Sequence, residues 1–210
     1  VATILSFFGG IYAARQVVKA GPKTKAVMDG ILTLPMVLPP TVAGFFLLLI
    51  FSVRRPFGAA LYGNFGIKVV QTWLGCILAA TVIAFPLMYR NARAAFEQVD
   101  VNLIYAGQTL GMSDRRIFWK VIVPAAAPGI ASGTVLAFAR AIGEYGATSM
   151  LAGNILGKTR TVSVAIAAET SAGNYDIAGF WVVVIVVISF VIVALINIVS
   201  GRGMKSRRWI

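Results

Sequence analysis

Histidine is absent from the 210 residues, and cysteine occurs once. The first absence removes the commonest metal ligand and the commonest general base. The second excludes a disulfide-stapled secreted module, and the lone Cys76 sits inside an apolar run, where it says nothing about redox compartment. Charge is scarce as well: 12% of residues are Asp, Glu, Lys or Arg, against about 25% in soluble globular domains. Only seven are acidic, they are scattered, and no nucleophile stands beside a base. A soluble enzyme of ordinary make-up and a disordered chain are both excluded. The chain is not expected to hydrolyse anything by itself, to bind a metal or to carry a cofactor.

What is present is apolar. Hydrophobic residues make up 59% of the chain and the mean hydropathy is +0.85. Five apolar stretches, at 1–14, 31–53, 69–89, 125–142 and 180–199, predict an all-α polytopic protein with about five spans in a single transmembrane domain over 1–210. The first stretch is shorter than the ~20 residues a span needs. It opens in mid-helix on Val1, so upstream residues are expected to be missing. It is not a signal peptide, because its basic residues follow the apolar run.

Nineteen Lys and Arg give a net charge of +12, and their placement sets an orientation. Arg15, Lys19, Lys23 and Lys25 follow the first stretch. Arg90, Arg93, Arg115, Arg116 and Lys120 lie in the long loop 90–123, and Arg202, Lys205, Arg207 and Arg208 in the tail. Alternating spans put these thirteen on one face and Arg54, Arg55, Lys68, Lys158 and Arg160 on the other. The richer face is expected to be cytoplasmic, the C-terminus included. Most of the surplus charge is thus topology, and no nucleic-acid partner is expected.

Pro35, Pro39 and Pro40 interrupt the second stretch, as a kinked or re-entrant entry to a span or as broken backbone lining a pathway. Residues 54–66 read as a loop rich in turn formers, and the third span is expected to end at Pro86. The loop 90–123 is the most specific segment. Asp100 can cap a short helix that ends at Gly111, a left-handed C-terminal position. Ser113 or Asp114 can cap a second helix through Arg115 to Val123, with Pro124 starting the next span. Leu103, Leu110, Ile117 and Phe118, with arginines beside them, make an apolar and basic cytoplasmic knob suited to a groove on a soluble partner.

This loop resembles the E-A-A-x3-G-x9-I-x-L-P signature of permeases of ATP-binding-cassette (ABC) importers, which docks on the ATPase subunit. The signature falls on Tyr105, Ala106, Gly107, Gly111, Val121, Val123 and Pro124, with Arg115 and Arg116 between. Tyr105 replaces the family's Glu and Gly107 an Ala, so no salt bridge from that Glu carries over. Leu34-Pro-Met-Val-Leu-Pro-Pro-Thr, Ala84-Phe-Pro-Leu-Met and Ala137-Phe-Ala-Arg-Ala-Ile-Gly-Glu-Tyr-Gly-Ala-Thr resemble the molybdate/sulfate branch, and Gly153-Asn-Ile-Leu-Gly-Lys-Thr-Arg-Thr is closer to molybdate permeases. The resemblance implies a type I importer permease bundle in the cell membrane that works as a homodimer. It also implies two cytoplasmic ATPase subunits, which bind ATP and Mg, and an extracytoplasmic oxyanion-binding protein. The expected cargo is molybdate, with tungstate possible and a sulfate or thiosulfate permease as the alternative.

Ala152-Gly-Asn-Ile-Leu-Gly157-Lys158-Thr159 nearly matches a phosphate-binding loop. That motif needs a strand before it and a helix after it, and here it follows a span on the expected outer side. Arg140 and Glu144 stand one turn apart near the outer end of the fourth span, a mutual ion pair that with Tyr145, Thr148, Pro39 and Pro40 is a candidate for the outer gate or pathway. Gly129 and Gly133, four apart, point to close helix packing. A membrane-embedded scaffold or enzyme using Arg140 and Glu144, and a stand-alone carrier, remain as other classes. Neither needs a docking knob.

Overall fold

The computed structural model of the chain describes residues 1–202, and among them every regular element is a helix. Lys205, Arg207 and Arg208 of the basic tail lie outside the described residues, as does the side chain of Arg202. The elements are α1 (Ala2–Lys19), α2 (Pro22–Val37), α3 (Pro40–Phe51), α4 (Pro56–Phe65), α5 (Trp73–Glu97), α6 (Val101–Thr109), α7 (Asp114–Ala125), α8 (Ala127–Ile142), α9 (Gly146–Leu151), α10 (Val162–Ser171) and α11 (Tyr175–Arg202).

Two helices, α5 and the Tyr175–Leu195 part of α11, are long and apolar enough to cross a membrane by themselves. Two bent pairs raise the number to four if each counts as one span: α2 with α3, turned by 110°, and α7 with α8, turned by 72°. The prolines explain the first bend. Pro40 opens α3 and Pro39 precedes it, so neither nitrogen can extend the hydrogen-bond ladder of α2. Pro35 lies inside α2 and does not interrupt it.

Two expectations need correcting. Pro86 does not end the third span: α5 runs eleven residues further to Glu97, with Pro86 buried against neighbouring helices. A lost intrahelical bond is tolerable where packing holds the turn together. Residues 54–66 are not a plain loop either. Pro56 starts α4 at its first turn, and Gly66, at φ +66°, closes it in the left-handed conformation.

α5 is the central element. α1 packs along one side of it and α8 along another, and Ala14, Val17, Ala84, Met88, Tyr89, Ala92 and Ala137 are sealed between them. The α5–α8 seam is as close as the glycine spacing suggested. A Cβ on Gly129 would stand 2.5 Å from the Ala95 Cβ, and one on Gly133 2.7 Å from the Asn91 Cβ. α10 and α11 pack on each other, and α11 carries a long exposed face of Phe180, Val183, Val186, Val187, Phe190 and Val191. Exposed apolar surface on that scale suits lipid.

Candidate functional site

The cap and the turn that shape the knob come from local chemistry. The Asp100 carboxylate accepts the Asn102 N–H at 2.9 Å and starts α6. At the other end Gly111, at φ +69°, turns the chain. Its N–H donates to the Gln108 carbonyl at 2.9 Å, and the Met112 N–H donates to the Gly107 carbonyl at 3.0 Å. That pair of bonds is a Schellman cap. Ser113 stands at the N-cap of α7 without a side-chain capping bond. α7 continues through a π-helical stretch, Phe118–Ile122, past Pro124, and breaks at Ala126, so the next span begins at Ala127 instead of at Pro124.

The two short helices pack through Gly107, where an added Cβ would lie 3.1 Å from Ile117 Cγ1. Tyr105, Ala106, Gly111, Arg115, Arg116 and Pro124 are exposed, and Val121 is half-buried. The exposed apolar side chains of the knob are Val101, Leu103, Tyr105, Leu110 and Trp119. Ile117 and Phe118, expected on the same surface, are buried instead. Ile117 packs on Gly107 of α6, and Phe118 faces α5 and α1, where its ring meets Phe96 edge-on at 5.5 Å.

The second group of predicted residues also comes together. α9 lies against α3: the Pro40 Cβ lies 3.0 Å from where a Gly146 Cβ would stand, and a Cβ on Gly44 would be 2.6 Å from the Ala147 Cα. The break at Pro39 and Pro40 therefore sits beside the turn that carries Glu144 and Tyr145. Glu144 is 3% exposed. Its Oε1 accepts the Ala147 N–H at 2.6 Å, and its Oε2 lies 2.8 Å from Arg140 Nη1. That second contact is a charge contact only, since Oε2 accepts no aligned N–H. Thr148 is buried. Tyr145 is half-exposed and lines a cleft of about 130 Å³ together with Ser149, Asn154 and Ser171.

The phosphate-loop match fails on geometry. Residues 152–161 connect two helices with no strand before them. The N–H groups of Lys158, Thr159 and Arg160 all turn to the Ile155 carbonyl, at 3.1, 2.9 and 3.2 Å. None of the three is left to wrap a phosphate.

One cluster was not anticipated. Asp29 on α2 accepts from the Tyr89 hydroxyl and pairs with Arg93, both on α5. Arg93 also bonds Glu97 at 3.0 Å, and Lys25 closes the set by pairing with Glu97. Its sequence signal is two i,i+4 pairs, Lys25 with Asp29 and Arg93 with Glu97, each of which reads alone as an ordinary helix-surface pair.

Residues 6–201 match the family described as "Binding-protein-dependent transport system inner membrane component". The chain is 45% identical over 166 residues to the molybdenum transport system permease protein ModB of Escherichia coli (strain K12), covering 79% of this chain and 72% of that protein. It is 32% identical over 202 residues to the sulfate transport system permease protein CysT of the same organism, covering 96% and 73%. A solved structure of the MetNI methionine ABC transporter in an inward-facing conformation superposes with a TM-score of 0.70 at 17% identity, over 99% of this chain and 90% of that one. The last likeness speaks for the fold alone. With a match across nearly its whole length, the chain belongs to the family of inner membrane components of binding-protein-dependent transport systems.

Proposed function

We propose that this chain is the membrane-spanning permease subunit of an ATP-driven importer that moves molybdate into the cytoplasm, with tungstate a possible second cargo. The observation that carries the reading is the knob: two short helices locked around Gly111, presenting Leu103, Tyr105, Leu110 and Trp119 with Arg115 and Arg116. An apolar and basic protrusion of this kind fits a cleft on a soluble partner. In this reading each of two identical permeases inserts its knob, within the 90–123 segment of a single 1–210 transmembrane domain, into one of two cytoplasmic ATPase subunits. ATP and Mg are bound there, and hydrolysis takes place there. An extracytoplasmic binding protein delivers the oxyanion to the opposite face.

The ATPases move the spans only through contacts that differ between nucleotide states. A bent, proline-broken pair such as α2–α3 is suited to rearrangement, since its halves are not joined by a continuous hydrogen-bond ladder. Pro39, Pro40, Arg140, Glu144, Tyr145 and Thr148 form the gate in this reading. The identity to ModB supports molybdate, and the longer, weaker match to CysT supports sulfate as the second reading. Stimulation of ATPase activity in the reconstituted complex by a molybdate-loaded binding protein tests the assignment. Stimulation by the sulfate-loaded protein alone would move the cargo to sulfate, and no association with an ATPase subunit would remove the permease reading.

A further inference from the structure

From the contact of Arg15 with Phe118, we infer that Arg15 is a positioning residue that ties the docking knob to α1, so that α1 follows the knob when the ATPases move it. This rests on the reading of the knob as the ATPase-docking element and adds the route by which its motion reaches the bundle.

The backbones of α1 and α7 pack little on each other. Between them lies a cavity of about 230 Å³, lined among others by Val18, Ile104, Gln108 and Ile122. Few side chains bridge this hollow. The Arg15 guanidinium stands 4.3 Å from the centroid of the Phe118 ring, a cation–π contact. Lys19 reaches Asp114 at 3.7 Å, but both are well exposed and the pair is worth little. Phe118 itself is fixed: it is 4% exposed and edge-on to both Phe96 and Trp119. It opens the π-helical stretch of α7, and the extra residue in such a turn re-aims the side chains around it, which is why π-turns recur at functional positions. The cation is therefore held over a ring that belongs to the knob.

On its other side Arg15 belongs to a helix locked to the bundle. Ala14 and Val17 are fully buried. A Cβ on Gly10 would lie 2.7 Å from Met88 Cγ, so α1 and α5 are in backbone-close contact, and the Ser6 hydroxyl donates to the Thr81 carbonyl at 3.2 Å. A pull on Arg15 is a pull on α5. The other links from the knob to the bundle are the Phe118–Phe96 contact with α5, the exposed Lys19–Asp114 pair and the chain itself, through the 72° break at Ala126.

The test uses the whole complex of permease, ATPase and binding protein in proteoliposomes, with the variants Arg15→Met, Arg15→Lys, Phe118→Leu and the double variant Arg15→Met/Phe118→Leu. Arg15→Met should keep co-purification with the ATPase and near-normal ATP hydrolysis, while molybdate moved per ATP falls about fivefold, in the range a partly exposed cation–π contact allows. Arg15→Lys should recover most of the ratio. The double variant should be no worse than Phe118→Leu alone, because both changes cut the same link. Spin labels at Tyr12 and Leu110 of one protomer should keep a single distance distribution with and without ATP in the parent protein, and should shift with ATP in Arg15→Met. An unchanged transport-to-ATP ratio in Arg15→Met, or labels that never shift with ATP in that variant, overturns the inference while leaving the docking reading in place. Failure of the parent protein to co-purify with the ATPase overturns the docking reading and this inference together.

Discussion

Asp29 of α2 holds the Tyr89 hydroxyl of α5, sixty residues along the chain, and the same carboxylate pairs with Arg93 one turn further on. This cluster ties α2, the first half of the broken pair, to the central helix. Asp29→Ala leaves the buried Tyr89 phenol without its acceptor and Arg93 with Glu97 alone, and the loss is expected to be about 1–3 kcal/mol. In detergent the melting temperature should drop by several degrees, and Asp29→Asn, which can still accept the phenol, should lose less. A melting temperature unchanged in Asp29→Ala would mean that the cluster does not bear on stability.

The orientation has its own test. In a Cys76→Ala background, a cysteine introduced beside Lys158 should react with an impermeant maleimide in intact cells. One introduced beside Arg115 should react only after the membrane is opened. Labelling of the Arg115 site alone in intact cells would invert the topology and detach the knob from the cytoplasm.

Gly111 stands at φ +69° and closes a Schellman cap. Proline fixes φ near –65° and removes the N–H that bonds Gln108. Gly111→Pro should unmake the knob while the spans still insert, so the variant should reach the membrane at normal levels and fail to pull down the ATPase. Normal co-purification would place the docking surface elsewhere.

Several of these features were legible in the sequence, and the reason is locality. The Asp100 cap, the Gly111 turn and the Arg140–Glu144 contact are each decided by residues within one or two helical turns. The course of α5 through Pro86 was not legible, because the packing that compensates the missing bond comes from other segments of the chain. α4 could have been read: Pro56 at a first turn and Gly66 just past the last are a start and a stop signal. The Asp29–Tyr89–Arg93 cluster joins partners far apart in sequence, so its two i,i+4 halves gave no sign that they interlock. Burial of Ile117 and Phe118 was hidden for a related cause. Ile117 is covered by α6 through Gly107 and Phe118 by α1 and α5, partners that the pattern of their own helix does not name.

Arg140 and Glu144 should separate by substitution. Glu144→Gln keeps an oxygen for the Ala147 N–H and leaves a half-exposed arginine. Arg140→Ala strips the counter-charge from a carboxylate that is 3% exposed, a change that costs about 3–5 kcal/mol where a buried pair is broken. It also leaves net negative charge beside the proposed gate, where a dianion must pass. Uptake should therefore fall about tenfold or more in Arg140→Ala and less in Glu144→Gln. Equal uptake in Arg140→Ala and the parent would take Arg140 out of the gate.

Molybdate uptake into proteoliposomes tests the central claim most directly, with the permease in the membrane, its ATPase and MgATP inside, and the binding protein outside. The account predicts uptake that needs all three proteins and MgATP, that tungstate competes with, and that excess sulfate leaves largely intact. Molybdate accumulation without ATPase or ATP, or no accumulation with every component present, would contradict it.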